Sequence, residues 1–226
     1  MNTGTYLVEK NFFDTSTLAA LYRSIDKKEW KPTWENKAYA GNHWMTIPLI
    51  VAGKKSPAFE RFSDLGRIVE KFKCPIKDMM FYALFPGGDI HPHRDMVGAV
   101  GIGGLRFHIP IITNDKVDFK VSGKRVIMNP GELWALDTSF LHKVSNFGSE
   151  ERVHLVFDVN VNEWVTTILP PRNHRYYIHQ LNLMYLMAYK AMKTILFSPG
   201  KIKGNLKVAR NVYQMVSSKI RRTKKD

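Results

Sequence analysis

The sequence predicts a mainly β protein, a β-sandwich or barrel-like double sheet with helices before and after it. Three observations predict this. From residue 79 onward the chain breaks into short strand-like runs, "MMFYALFP", "GLRFHIPII", "DFKVSG", "RVIMNP", "GELWALD" and "RVHLVFDVNV". Gly, Pro or Asn separates these runs, as turns separate strands. Little helical spacing lies between them, so the strands should pair with one another in two layers rather than alternate with helices.

The flanking elements follow in order. Residues 14 to 29 read as a helix, with Asp14 or Ser16 as its cap and Leu18, Leu21 and Ile25 at helical spacing. Residues 30 to 49 hold Trp30, Pro32, Trp34, Trp44 and Pro48, which suits irregular or strand structure. Residues 57 to 73 return to helix, with Phe59, Phe62, Leu65, Ile68, Val69 and Phe72 on one stripe. After residue 165 two helical runs, 179 to 197 and 205 to 222, are parted by Ser198-Pro199-Gly200. The expected organisation is a domain over 1–165, with its core at about 79–160, and a basic helical extension over 166–226.

Composition narrows the class. A chain of 226 residues with 44% hydrophobic content can bury one good core. The single cysteine, Cys74, allows no internal disulfide and favours a reducing compartment. The first residues lack a basic segment ahead of an apolar run, and no 18 consecutive apolar residues occur. A cytoplasmic protein without signal peptide or membrane span is therefore expected.

The charge is unevenly placed. Of the net +14, residues 164–226 carry 13 basic residues and one acid, Asp226, which leaves +2 for residues 1–163. One reading makes the tail a helical layer packed on the barrel or on a second subunit. The other makes it a peripheral contact with anionic membrane or another polyanion. No nucleic-acid recognition motif accompanies the charge.

The chemistry-bearing residues gather in "IHPHRDMVGAVGIGGLRFHIPI", residues 90 to 111. In an extended segment, His93 and Asp95 point to the same side. His142 is the candidate third ligand, and two histidines with one carboxylate form the facial triad of non-haem Fe(II) oxygenases. Alone, the triplet is weak and reads more readily as a solvated surface turn, "PHRD". Its surroundings add weight. Arg152 lies ten residues after His142 and shares a strand face with His154, while Val153, Leu155 and Phe157 take the other. A buried arginine needs an anionic partner; protein carboxylates or a bound dicarboxylate would serve. Arg106 and His108 repeat the arrangement. Gly101-Ile102-Gly103-Gly104 precedes a strand and lacks the final glycine of a nucleotide loop, so a mobile loop beside the site is expected. His91 reads as a neighbour and not a ligand, His43 as packing or a substrate contact, and His154 as a packed strand histidine.

Phe85-Pro86-Gly87-Gly88 through His93, then Arg106-Phe107-His108, then "GELWALDTSFLHKVSNFGSEERVHLVFDV" resemble the aspartyl/asparaginyl β-hydroxylase family of Fe(II)- and 2-oxoglutarate-dependent oxygenases. The later part is also similar to bacterial cis-4-proline hydroxylases. The resemblance covers about residues 79–160 and implies a double-stranded β-helix (jelly-roll) core. It implies that His93, Asp95 and His142 bind Fe(II), and that Arg152 grips the distal carboxylate of 2-oxoglutarate with help from the Tyr82 hydroxyl. His108 would support the cosubstrate's other end, and Arg106 would face cosubstrate or substrate. Animal β-hydroxylases have glycine where this chain has Asp95. The intact triad agrees with the proline-hydroxylase-like branch and points away from a peptidyl Asp/Asn substrate. The implied reaction uses O2 to hydroxylate an unactivated C–H bond, with release of succinate and CO2. The substrate would be a small molecule such as a free amino acid, a peptidyl side chain, or a lipid- or glycan-linked acyl group. Residues of the N-terminal third and the 96–104 loop would select it. Cupin-like isomerases and dioxygenases share such a barrel but do not require Arg152. A metal-free binding module would have no reason to keep all four of His93, Asp95, His142 and Arg152.

Overall fold

Strand pairing begins before residue 79 and draws in parts of the N-terminal third. The computed structural model describes residues 4–33, 43–96 and 98–197. The expected helix over 205–222, the break at 198–200 and Trp34 lie outside them. The strands are β1 (Thr5–Glu9), β2 (Lys31–Pro32), β3 (Trp44–Val51), β4 (Lys54–Lys55), β5 (Ile76–Leu84) and β6 (Asp89–His93). They continue as β7 (Gly104–Ile112), β8 (Val117–Val121), β9 (Lys124–Arg125), β10 (Leu133–Leu136), β11 (His142–Asn146) and β12 (Arg152–Asn160). The helices are α1 (Ser16–Ser24), α2 (Ser63–Glu70), α3 (Glu163–Ile168) and α4 (His174–Phe197).

One sheet runs β1-β10-β7-β12-β5-β3-β2, with β4 on β3, and a second runs β6-β11-β8-β9. All pairings are antiparallel. This is the double-stranded β-helix. Irregular or strand structure was expected for 30–49, and β3 takes its second half. β1 was not anticipated; its five residues offer too short a pattern, and its pairing with β10 is long-range. Most of "RVIMNP" forms no strand; only Arg125 belongs to one, in β9.

The alternation of β12 decides the layering. Val153, Leu155 and Phe157 join Met79, Phe81, Ala83, Leu105, Phe107 and Ile109 as a fully buried apolar face. The N-terminal helices cover it: Phe62 meets Phe81 at 5.2 Å between ring centroids, and Tyr22 meets it at 6.3 Å. Both helices are shorter than expected. Ile25 turns extended at the end of α1, and the 57–73 run divides into a 3₁₀ turn at Phe59–Arg61 and α2.

Phe72, just past α2, stacks on Phe157 at 4.6 Å and meets Phe107 edge-on at 5.4 Å. Replacing Phe72 with alanine should cost about 3–5 kcal/mol, the range for a buried aromatic truncation. Denaturant unfolding checks this; the midpoint should fall with little change in slope.

The chain divides into two units, Met1–Pro171 and Arg172–Asp226. α3 belongs to the first unit. Asn162 caps α3 by accepting from the Val165 N–H and donates its side-chain amide to the Lys73 carbonyl. Trp164 packs edge-on to Phe72, and Val165 is fully buried. In the second unit, Asn173 starts α4 by accepting from the Tyr176 N–H.

Candidate metal and cosubstrate site

The register of the smaller sheet builds the metal site. His93, the last residue of β6, sits directly opposite His142, the first residue of β11, with 4.3 Å between ring centroids. Two backbone-directed bonds then place Asp95. Its N–H donates to the Thr138 carbonyl at 2.9 Å, and the Thr138 hydroxyl donates back to the Asp95 carbonyl at 2.9 Å. Asp95 Oδ1 is 3.8 Å from His93 Nε2, and Oδ2 is 3.8 Å from His142 Nε2. The donor atoms of His93, Asp95 and His142 all lie within 4.8 Å of one another.

Both rings are held in the tautomer that suits an ion. His93 Nδ1 lies 2.7 Å from the His91 carbonyl oxygen, and His142 Nδ1 lies 2.9 Å from that of Phe140. A carbonyl only accepts, so each Nδ1 carries the proton and each Nε2 presents its lone pair. Burial, reinforced by nearby His93, pulls His142 down to about 4, so its ring is neutral at physiological pH. Two imidazole lone pairs and one carboxylate, converging from two strand ends, fit a divalent cation that accepts nitrogen and oxygen ligands. His91 contributes its carbonyl, while its side chain is exposed and lies near Asp89.

Two arginines on the inner face of the larger sheet differ in their partners. Arg106 Nε and one terminal nitrogen form a fork on Asp158 at 2.8 and 2.9 Å, and its other terminal nitrogen donates to Asp95 Oδ2 at 3.0 Å. Burial alone would lower its pKa, but Asp158 and Asp95 overcome that and hold it well above the ordinary value. Arg106, expected to face cosubstrate or substrate, is instead taken up by two protein carboxylates and steadies a metal ligand. Asp158 lies in the run "RVHLVFDV" that carries the resemblance, but the sequence assigned it no role. It shares the face of Arg152 and His154, but its partner is identifiable only once β12 is registered on β7, where Asp158 opposes Arg106.

Such supporting bonds tune metal affinity. Replacing Asp158 with asparagine should weaken Fe(II) binding by about 10–100-fold, the range for changes just outside the ligand set. A competition titration with a chelating dye checks it.

Arg152 is buried, and burial draws it down to about 9. Among the described residues no carboxylate lies within ion-pair distance of it. It lies over the Phe119 ring at 5.6 Å and donates to His154 Nδ1 at 3.0 Å. His108 Nδ1 lies 3.3 Å from the same His154 nitrogen, and His108 Nε2 is buried without a hydrogen-bond partner among the described residues. Burial and then the Arg152 charge keep both histidines well below their ordinary pKa, hence neutral. A cavity of about 420 Å³ reaches Arg152 and His154. The rest of its lining comes from residues 113–129, and none of the triad lines it. Tyr82 is half-buried on β5 opposite His154, packs on Trp44 at 5.2 Å, and acts electrostatically on Arg106.

The 101–104 segment, expected as a mobile loop, runs from a 3₁₀ turn over Val100–Ile102, with Val100 and Gly101 buried, into β7. Gly103 adopts φ +88°, a left-handed conformation that glycine reaches without strain, and leads into β7. Nearby Gly98 has no room for a side chain: a Cβ there would approach Thr138 Oγ1 to 2.9 Å and Arg106 Cβ to 3.0 Å.

An antiparallel double sheet holding two histidines, a carboxylate and a buried arginine in its interior defines a metal-dependent oxygenase that takes an anionic cosubstrate. The model of the aspartyl/asparaginyl beta-hydroxylase family matches residues 16–161, and the chain belongs to that family. It is an Fe(II)- and 2-oxoglutarate-dependent dioxygenase. Among solved structures, HygX from Streptomyces hygroscopicus, with nickel and 2-oxoglutarate bound, is similar at TM-score 0.50 and 9% identity; the match covers 72% of this chain and 84% of that one. The non-heme alpha-ketoglutarate-dependent epimerase SnoN from nogalamycin biosynthesis is similar at TM-score 0.51 and 11% identity, over 70% of this chain and 77% of that one. Likeness at these identities concerns the fold.

Proposed function

We propose that the enzyme hydroxylates an unactivated C–H bond of an amino acid or of an aminoacyl or peptidyl side chain. Decarboxylation of 2-oxoglutarate to succinate and CO2 would be coupled to that step. The observation that carries this reading is Arg152: a buried guanidinium with no carboxylate within reach among the described residues, in the same interior as a converging His-Asp-His set. An incoming dianion supplies the missing partner.

When bound, Fe(II) supplies the O2-dependent oxidation that side chains alone cannot perform. The residues have separate tasks. His93, Asp95 and His142 hold the ion, and Arg106 fixes Asp95. Arg152 binds the distal carboxylate through paired N–H donors, and Tyr82 stands on the neighbouring strand. The apolar face and the covering helices keep the sheet rigid behind them. The test is succinate formation across a panel of free amino acids, peptides and lipid- or glycan-linked acyl groups. Iron-dependent stimulation by an amino acid or peptide is expected. Stimulation by an acyl substrate alone would overturn the substrate class. Failure of the protein to bind Fe(II) and 2-oxoglutarate would overturn the reading as a whole.

We also propose peripheral association with anionic membrane through residues 172–225. All 13 basic residues counted after Glu163 fall in this segment. On α4, Tyr177, Ile178, Leu181, Tyr185, Leu186, Tyr189 and Met192 are exposed. At about 100° per residue they occupy an arc of about 180°, a broad apolar face suited to the interfacial region of a bilayer. No helix of the described residues is long and apolar enough to cross a membrane. Each basic residue near an anionic surface contributes about 1 kcal/mol, so four engaged residues suffice for measurable binding. Sedimentation should recover the protein with phosphatidylserine vesicles at low salt, less at high salt, and not with phosphatidylcholine vesicles. Equal, negligible recovery would leave the tail as a packing layer. Retention by nucleic acid instead of vesicles would reassign the charge.

A further inference from the structure

We propose that Arg152, His154 and His108 form a hydrogen-bonded chain whose histidine tautomers reverse when a dicarboxylate is bound, so that the two ends of the cosubstrate are recognised together. This rests on the reading of 2-oxoglutarate as cosubstrate.

The argument is a matter of donors and acceptors. A guanidinium only donates, so its 3.0 Å contact makes His154 Nδ1 an acceptor and places that ring's single proton on Nε2. His108 Nδ1, 3.3 Å from the same lone pair, makes an attractive contact only by donating. His108 therefore carries its proton on Nδ1, and its Nε2 is a bare lone pair. That nitrogen is buried and lacks a hydrogen-bond partner among the described residues. His108 lies two residues past Arg106 on the same face of β7, so the ring stands beside both the Arg152–His154 contact and the arginine that steadies Asp95.

In this state the interior is mismatched to a dianion. A carboxylate or keto oxygen brought to His108 Nε2 would set lone pair against lone pair. The mismatch is relieved if His108 moves its proton to Nε2. His108 Nδ1 then needs a donor, and His154 supplies one by moving its own proton from Nε2 to Nδ1. Each ring keeps one proton, so nothing is gained or lost. His154 Nδ1–H would then face the Arg152 N–H, and that contact is tolerable only if Arg152 turns to another acceptor. The distal carboxylate of the cosubstrate is that acceptor. A 2-oxo acid without a distal carboxylate leaves Arg152 on His154 and the chain in its first arrangement. The length of the cosubstrate is thus sensed through His154, a positioning residue that need not touch it.

The experiment uses the full chain loaded with Zn(II), which takes the same nitrogen and oxygen ligands and does not turn over. Nitrogen-15 labelling of histidine lets long-range proton–nitrogen correlations assign each ring's tautomer. His108 should be protonated at Nδ1 in the Zn(II) protein, at Nε2 with saturating 2-oxoglutarate, and again at Nδ1 with 2-oxobutanoate. Bound 2-oxoglutarate with unchanged tautomers would overturn the coupling while leaving the cosubstrate reading intact. Reversal by 2-oxobutanoate as well would overturn length sensing. No response of any histidine to 2-oxoglutarate would sink the cosubstrate reading and the coupling with it. In His154→Phe, the preference for binding 2-oxoglutarate over 2-oxobutanoate should fall about tenfold, the equivalent of one hydrogen bond. An undiminished preference in that variant, with Zn(II) binding as the check on folding, would also overturn the proposal.

Discussion

Replacing Arg152 with alanine should raise the 2-oxoglutarate concentration needed for half-maximal turnover by at least about thirtyfold. Truncating one partner of a buried, charge-assisted pair costs roughly 2–5 kcal/mol, and 1.4 kcal/mol is about tenfold. The structure sharpens this expectation. Arg106, the other inward arginine of the larger sheet described here, is engaged by Asp158 and Asp95, so it is poorly placed to substitute. The variant should not unfold the protein for want of charge balance, because no carboxylate among the described residues loses an ion-pair partner when Arg152 goes. Truncation even removes a buried cation whose pKa burial has drawn down to about 9. Steady-state kinetics against 2-oxoglutarate, with thermal unfolding alongside, checks both halves. An unchanged cosubstrate dependence with a lowered melting temperature would assign Arg152 to structure alone.

The parts of the site legible in the sequence were those written within one strand or one turn. Alternation along 152–160 separated Arg152 and His154 from Val153, Leu155 and Phe157, because a strand's period of two holds whatever it pairs with. The His93-x-Asp95 pair was legible from the triplet itself, although Asp95 lies past the end of β6 and is placed by its bonds to Thr138. Joining His142 to it required an inference across 47 residues, and the register of β6 on β11 supplies the physical reason. What stayed hidden lay in pairings between distant strands. Arg106 reads as a ligand-facing arginine until β7 is registered on β12 and Asp158 comes opposite. Thr138, which bonds both ways to the backbone of Asp95, has no pattern to mark it. Gly101 to Gly104 read as mobile because glycine permits mobility, yet the N–H groups of Ile102, Gly103 and Gly104 are all bonded within the turn. Composition reports what a backbone can do, and pairing decides what it does.

Replacing His142 with alanine should abolish Fe(II) binding at working concentrations and turnover with it, whereas replacing Asp95 with glycine should leave a measurable remnant of both. The two ligands differ in what each carries besides the metal. His142 is buried, and its Nδ1 proton is held by the Phe140 carbonyl, so truncation removes a pre-oriented ligand and opens a hole between the sheets. Changes merely outside a ligand set cost about 10–100-fold in affinity, and loss of a ligand itself should exceed the upper figure. Asp95 is half-buried, and its carboxylate also receives one N–H from Arg106. In Asp95→Gly, Arg106 keeps its two bonds to Asp158, so no cation is stranded, and His93 and His142 remain opposed across the strand pair. A two-histidine site of that kind is the arrangement of the animal relatives that the sequence resembles, with glycine at this position. Metal titration monitored by competition, followed by succinate formation at saturating Fe(II), separates the cases. Asp95→Gly should regain part of its activity as Fe(II) is raised, while His142→Ala should not. Full activity in metal-loaded His142→Ala would remove His142 from the ligand set. Equal loss in both variants, without recovery at high Fe(II), would mean that the Asp95 carboxylate does more than hold the ion, and its bond to Arg106 would be the first place to look.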